Sequence, residues 1–131
     1  YDYVGKAATY SSIAEFLEHE PYDILYPGAL PDGVSIDHVV VFPSEPTEIV
    51  VVINDCTYTY NIYLNYNKVS FDLKYYQTYN YNGIEFYIQL DSKLNRYNAF
   101  FQYNEHYYSV AAPDYDSLIL ILDNLQGDNI R

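Results

Sequence analysis

The sequence predicts an α+β fold: a mainly antiparallel sheet of about seven strands, with an N-terminal and a C-terminal helix packed on one face. Three observations predict it. Short apolar runs between Val34 and Ala111 alternate with polar residues and are bounded by Pro, Gly, Asn and Asp. An apolar stripe of helical period stands at each end of the chain. The links between the strand-like runs are short, which favours antiparallel pairing because parallel strands need long crossovers.

Taken in order, residues 1–10 read as a loose lead-in. Ser12 and Glu15 have the spacing of a capping box, and Ile13, Phe16 and Leu17 form one apolar face, so a helix starts here. Pro21 is expected to stop it. The run Tyr26-Pro27-Gly28-Ala29-Leu30-Pro31-Asp32-Gly33 carries two prolines and two glycines, and predicts an extended, sharply turning segment pinned by Leu30.

Val34–Phe42 is the first expected strand, with Pro43–Pro46 as its turn. Glu48–Asn54 carries five consecutive β-branched residues, as in a central strand covered on both faces. Thr57–Tyr66 alternates: Tyr58, Tyr60, Ile62 and Leu64 share one face, and Thr57, Thr59, Asn61, Tyr63 and Asn65 the other. Asn65-Tyr66-Asn67-Lys68 predicts a hairpin into a strand at Val69–Tyr76. A polar, Tyr/Asn-rich link follows, then an Asn82-Gly83 turn and a strand at Ile84–Leu90. After a loop at Asp91–Arg96, Tyr97–Tyr103 and His106–Ala111 read as a hairpin around Asn104-Glu105. Asp114 can cap a last helix over Tyr115–Leu125, with Leu118, Ile119, Ile121, Leu122 and Leu125 buried and Gly127 as the stop.

Residues 1–131 are expected to form a single domain with its core in 12–125. The 18 acidic residues against 6 basic ones leave a formal net charge of −12. Phosphate backbones and anionic headgroups are repelled by such a chain, so nucleic acid is not an expected partner. One cysteine, Cys56, excludes an internal disulfide and a Cys-based zinc site; it is expected to be a small buried or half-buried strand residue. The chain starts at Tyr1 and contains no Met, which suggests a processed product or an excised piece. No signal peptide or spanning run is present, so any membrane contact is expected through an anchor upstream of Tyr1.

Assembled chemistry is not found. His19, His38 and His106 have no metal-ligand spacing, and no nucleophile elbow, dinucleotide loop or phosphate loop occurs. The acids are dispersed among turns and helix ends, where solvated structural roles are the common ones. Asp91-Ser92-Lys93-Leu94-Asn95 lacks the Gly and closing Glu of a calcium loop, and reads as a hairpin turn. The expectation is a protein that is not an enzyme, with no catalytic residues, no metal and no cofactor.

Tyrosine is the unusual feature: 19 Tyr and no Trp. A tyrosine packs its ring while its hydroxyl reaches water, so a sheet with one wet face can use it freely. Rigid amphipathic rings also make binding anchors. The stretch expected to bind is Tyr75, Tyr76, Tyr79 and Tyr81, interleaved with Gln77, Thr78, Asn80 and Asn82.

The order of elements resembles DUF4367, a bacterial family of unknown function found outside the membrane in Firmicutes and often joined to anti-sigma-like membrane-anchored parts. Tyr26-Pro27-Gly28-Ala29-Leu30-Pro31-Asp32-Gly33 is similar to its Pro-x-x-Leu-Pro-x-Gly lead into the first strand. Tyr81-Asn82-Gly83-Ile84-Glu85-Phe86-Tyr87 and the hairpin Ala99–Val110 resemble two further family segments, with Phe101 in place of the usual Trp and Glu105 in place of the turn Gly. The resemblance covers residues 12–125. It implies an extracytoplasmic sensory or interaction domain of a membrane-anchored protein, possessing no catalytic residues to carry over. The alternative is a cell-wall glycan- or peptide-binding module that uses the tyrosines. On either reading the partner is an unidentified protein, peptide or glycan.

Overall fold

The computed structural model describes residues 7–20, 22–66 and 70–127. In chain order the elements are β1 (Ala8–Tyr10), α1 (Ile13–His19), β2 (Tyr26–Pro27), β3 (Ile36–Phe42), β4 (Glu48–Ile53) and β5 (Thr59–Tyr63). They continue as β6 (Gln77–Tyr81), β7 (Ile84–Asp91), β8 (Arg96–Tyr103), β9 (His106–Ala112), α2 (Tyr115–Asp123) and β10 (Leu125–Gln126). Eight strands form one sheet in the order β1-β3-β4-β5-β9-β8-β7-β6, and β10 pairs β2 separately. Every pairing is antiparallel. The α+β class with a mainly antiparallel sheet is therefore as expected, but the strand count is not.

Four strands were not foreseen, β1 and β6 in the main sheet and the two-residue β2 and β10 that pair with each other, and one expected strand is absent. β1 lies inside the presumed lead-in and pairs Ala8–Tyr10 with Val39–Val41; three residues are too few to show a period. β6 lies in the expected polar link, and its five residues, Gln77 to Tyr81, pair with β7 at successive positions. The strand expected at 69–76 is not formed over 70–76, where an Asx turn at Asp72 takes the backbone N–H of Lys74 on its carboxylate at 3.0 Å and that of Tyr75 on its carbonyl at 2.9 Å. Asn67, Lys68 and Val69 of the expected hairpin lie outside the described residues, as does Pro21.

The helix caps follow the sequence. Ser12 Oγ accepts from Glu15 N at 3.1 Å, and Asp114 Oδ1 accepts from Ser117 N at 2.8 Å. The reciprocal half of the first box shifts by one residue, since Glu15 Oε1 accepts from Ser11 N at 2.6 Å. α2 ends earlier than expected: Asn124 caps it and Leu125 enters β10. Gly127 is consequently not the stop. It lies against the Ile24 carbonyl, where a Cβ would approach to 2.9 Å.

Strand alternation builds the main core. Ile49, Val51 and Ile53 of β4, Tyr60 and Ile62 of β5, Phe86 and Ile88 of β7, and Tyr108 and Val110 of β9 are buried, together with Phe16 of α1 and Leu118, Ile121 and Leu122 of α2. Val50 and Val52 are only half-buried, so β4 is not sealed on both faces as its composition suggested.

The irregular segment between α1 and β2 is fastened to this core by two fully buried tyrosines. Tyr60 Oη donates to the Leu25 carbonyl at 2.7 Å, and Tyr108 Oη accepts from the Leu25 N–H at 2.8 Å. The two rings meet edge to face at 6.2 Å. The C-terminal strap closes over the same segment: Gly28 N donates to the Asn124 carbonyl at 2.8 Å, and a Cβ on Gly28 would reach that oxygen at 2.6 Å.

Both two-residue hairpin turns lie in the left-handed region, Asn82-Gly83 at φ 53° and 78° and Asn104-Glu105 at φ 53° and 67°. Glu105 thus occupies a position that suits glycine.

Replacing Tyr60 or Tyr108 by Phe is expected to cost about 1–3 kcal/mol each, because each leaves a buried Leu25 backbone group unpaired. The two losses should be non-additive in a double-mutant cycle measured by urea denaturation. Glu105→Gly is expected to raise stability by about 0.5–1 kcal/mol, the left-handed strain relieved less the added chain entropy; an unchanged or lower midpoint in the same titration would contradict it.

Candidate functional site: the aromatic second face

Residues that alternate away from the main core define a second face. From β7 it takes Glu85 and Tyr87, from β8 Phe100 and Gln102, from β9 Tyr107, and from β5 Tyr63. Register sets these in rows. Asn80 of β6 lies opposite Glu85, Tyr87 opposite Phe100, Gln102 opposite Tyr107 and Tyr107 opposite Tyr63.

The segment that failed to become a strand supplies the rest. Phe71 lies flat on Tyr87, with centroids 4.3 Å apart and planes at 18°. It also stacks against Phe100 at 6.1 Å and Tyr107 at 6.4 Å. Tyr76 meets Phe71 edge on at 5.2 Å. Tyr66 and Tyr63 extend the patch past Tyr107 at 5.8 and 5.9 Å. Burial, and then the neighbouring tyrosines, push the Tyr107 phenol up to about 12.

Beside this patch opens a cleft of about 400 Å³ lined by Ser70, Phe71, Glu85, Tyr87 and Gln102. Tyr87 Oη donates to Glu85 Oε1 at 2.6 Å. That bond, and then burial, raises the Tyr87 phenol above its ordinary value and keeps it a neutral donor. The carboxylate retains acceptor capacity, the Gln102 amide offers a donor and an acceptor, and the Phe71 and Tyr87 rings share the lining. The chemistry available is stacking plus directed hydrogen bonding.

The four sequence-predicted tyrosines do not form one surface. Tyr76 joins the second-face patch. Tyr75 projects from the covering loop at 61% exposure, under Lys74 Nζ at 5.9 Å. Tyr79 and Tyr81 lie on the opposite side of β6, stacked at 6.4 Å and 4°, and Tyr79 continues onto core Phe86 at 6.0 Å. Tyr79 Oη donates to Asp123 Oδ1 at 2.5 Å, which with burial raises its phenol to about 12. Glu85, Tyr87, Phe100, Gln102 and Tyr107 were missed. Their signal was present as the outward half of each strand's alternation, but which outward halves become neighbours depends on strand order.

A second cavity, of about 260 Å³, lies where β4 and β5 diverge. Their pairing ends at Val50 and Asn61, although β4 runs on to Ile53. Cys56 is exposed at its rim and not in a strand. Its expected strand position is overturned by an Asx turn in which Asp55 Oδ1 accepts from Thr57 N at 3.0 Å. Asp91 Oδ1 is likewise engaged by the backbone N–H groups of Lys93 and Leu94, at 3.1 and 3.2 Å.

The histidines occupy separate settings. His19 stacks on Tyr10 at 5.8 Å, His38 Nδ1 lies 2.7 Å from Asp37, and His106 Nδ1 accepts from Asn65 N at 3.0 Å. Among the described residues no group of three His, Cys, Asp or Glu side chains could hold a metal ion, and no helix is long and apolar enough to cross a membrane. Comparison of the chain with protein-family models, curated proteins and solved structures finds no match.

Burial holds the His106 imidazole below its ordinary value, against the opposing charges of Asp23 and Glu105. Its Nδ1 must be unprotonated to accept from Asn65. The unfolded chain therefore binds this proton first: the stabilisation is whole above about pH 6.5 and declines as pH falls through the lower folded value. Thermal melts between pH 7.5 and 5 should show that decline, and His106→Gln, which keeps an acceptor, should flatten it.

Proposed function

We propose that this chain is a non-enzymatic extracytoplasmic interaction domain of a membrane-anchored bacterial protein, and that it binds a glycan through the second-face cleft. The observation that carries the reading is the placement of Glu85, Tyr87 Oη and Gln102 against the Phe71 wall of a continuous aromatic patch. Sugars present apolar ring faces rimmed by hydroxyls, and such faces suit aromatic stacking flanked by carboxylate and amide acceptors. In this reading both terminal helices lie over the face that bears the main core, leaving the second face for ligand; the sharing of one buried cluster by Phe16, Leu118 and Ile121 supports it.

The extracytoplasmic location and the upstream tether rest on the resemblance to DUF4367, together with a net charge of −12 that disfavours anionic partners. A regulatory or sensory role follows from the same resemblance.

The test is retention on insoluble peptidoglycan and on a panel of polysaccharides. Binding to at least one of them is expected, with Tyr87→Ala and Gln102→Ala each weakening it about tenfold or more. Leu120→Ala, at an exposed position of α2, should leave it unchanged. No retention across the panel, or retention indifferent to both cleft variants, would defeat the reading.

A further inference from the structure

We propose that the open edge of β6 is a docking site for an extended basic peptide of a partner protein, which would add to the sheet as a further strand. The proposal does not rest on glycan binding in the cleft, although Glu85 borders both sites. β6 is a terminal strand of the eight-stranded sheet. It pairs β7 at every position from Gln77 to Tyr81 without a bulge. Edge strands are ordinarily protected by charged side chains, proline, bulges or shortness. β6 contains no charged residue and no proline, and four of its five residues are exposed. β1, at the other edge, has only three residues.

The Asn82-Gly83 turn determines which backbone groups are free. In a two-residue hairpin the pair beside the turn exchanges both hydrogen bonds, and alternate pairs follow. Tyr81, Tyr79 and Gln77 therefore bond β7, while Thr78 and Asn80 direct their N–H and C=O groups outward. An added strand can make two bonds with each.

Charge selects the occupant. A carboxylate flanks the edge on each side: Glu85 lies across from Asn80 on one face, and Asp123 is bonded to Tyr79 on the other. β6, β7 and α2 contain no Lys or Arg. A basic side chain of the added strand would meet a carboxylate from either face, whereas a second copy would bring its own net charge of −12 to the same edge. Main-chain pairing supplies affinity and the alternating side chains supply selectivity, as in other strand-addition complexes.

The probe is a labelled synthetic peptide, Thr-Lys-Val-Lys-Val-Lys-Thr, followed by fluorescence anisotropy against the intact chain. It is expected to bind at least about tenfold tighter than its Glu-for-Lys counterpart at low salt, with the difference shrinking as salt rises. Amide chemical-shift changes should centre on Thr78 and Asn80. Asn80→Pro removes an outward N–H without touching a β7 bond, and should weaken binding about tenfold or more. Thr78→Lys, a milder change that puts a like charge on the edge, should do the same should the proline variant fold poorly. Equal affinity for the Lys and Glu peptides, or undiminished binding to the Thr78→Lys variant, would overturn the proposal. So would sedimentation showing a dimer that Thr78→Lys dissociates, since that would assign the edge to a second copy.

Discussion

Two phenol hydroxyls grip the two polar groups of one buried backbone residue, and much of the architecture is organised around that grip. Leu25 belongs to neither helix nor strand, yet it is fully buried. A buried peptide unit outside regular structure must find partners for its N–H and C=O. Tyr60 and Tyr108 supply one each. Because these tyrosines stand on the adjacent strands β5 and β9, the grip also requires those strands to be in register. The segment it anchors then receives the C-terminal strap: β10 pairs β2, and Gly28 and Gly127 permit an approach that a side chain would block.

The tyrosine content divides along similar lines. Tyr58, Tyr60 and Tyr108 are core residues, and the hydroxyls of the latter two are satisfied by the Leu25 backbone. Tyr63, Tyr76, Tyr87 and Tyr107 tile the second face, where Phe71 from the covering loop is stacked among them. Tyr79 and Tyr81 extend the ring surface of Phe86 to the β6 edge. One residue type fills all three settings because its ring tolerates burial and its hydroxyl tolerates either water or a backbone partner.

The candidate cleft and the β6 edge share a feature: both depend on the β6–β7 hairpin. Asn82-Gly83 turns the chain so that Asn80 and Glu85 become neighbours. The same turn leaves Thr78 and Asn80 facing outward. A stretch that reads along the chain as a polar link is thereby an edge strand, and the acid beside it becomes part of the cleft.

Local signals were legible in the sequence. Ser12 and Asp114 marked the helix starts, Asn82-Gly83 a hairpin, and the alternation of Tyr58, Tyr60, Ile62 and Leu64 a core-facing row, since caps, turns and side-chain alternation act over a few residues. What only the tertiary structure decided were the facts that need a distant partner. Ala8–Tyr10 becomes a strand because β3 lies beside it, Phe71 folds onto Tyr87 because no strand takes up residues 70–76, and Glu85 joins Gln102 only once β7 and β8 are aligned. The strand order β5-β9-β8-β7 brings distant stretches of chain together, and that choice rests on burial of the whole sheet and not on any single segment.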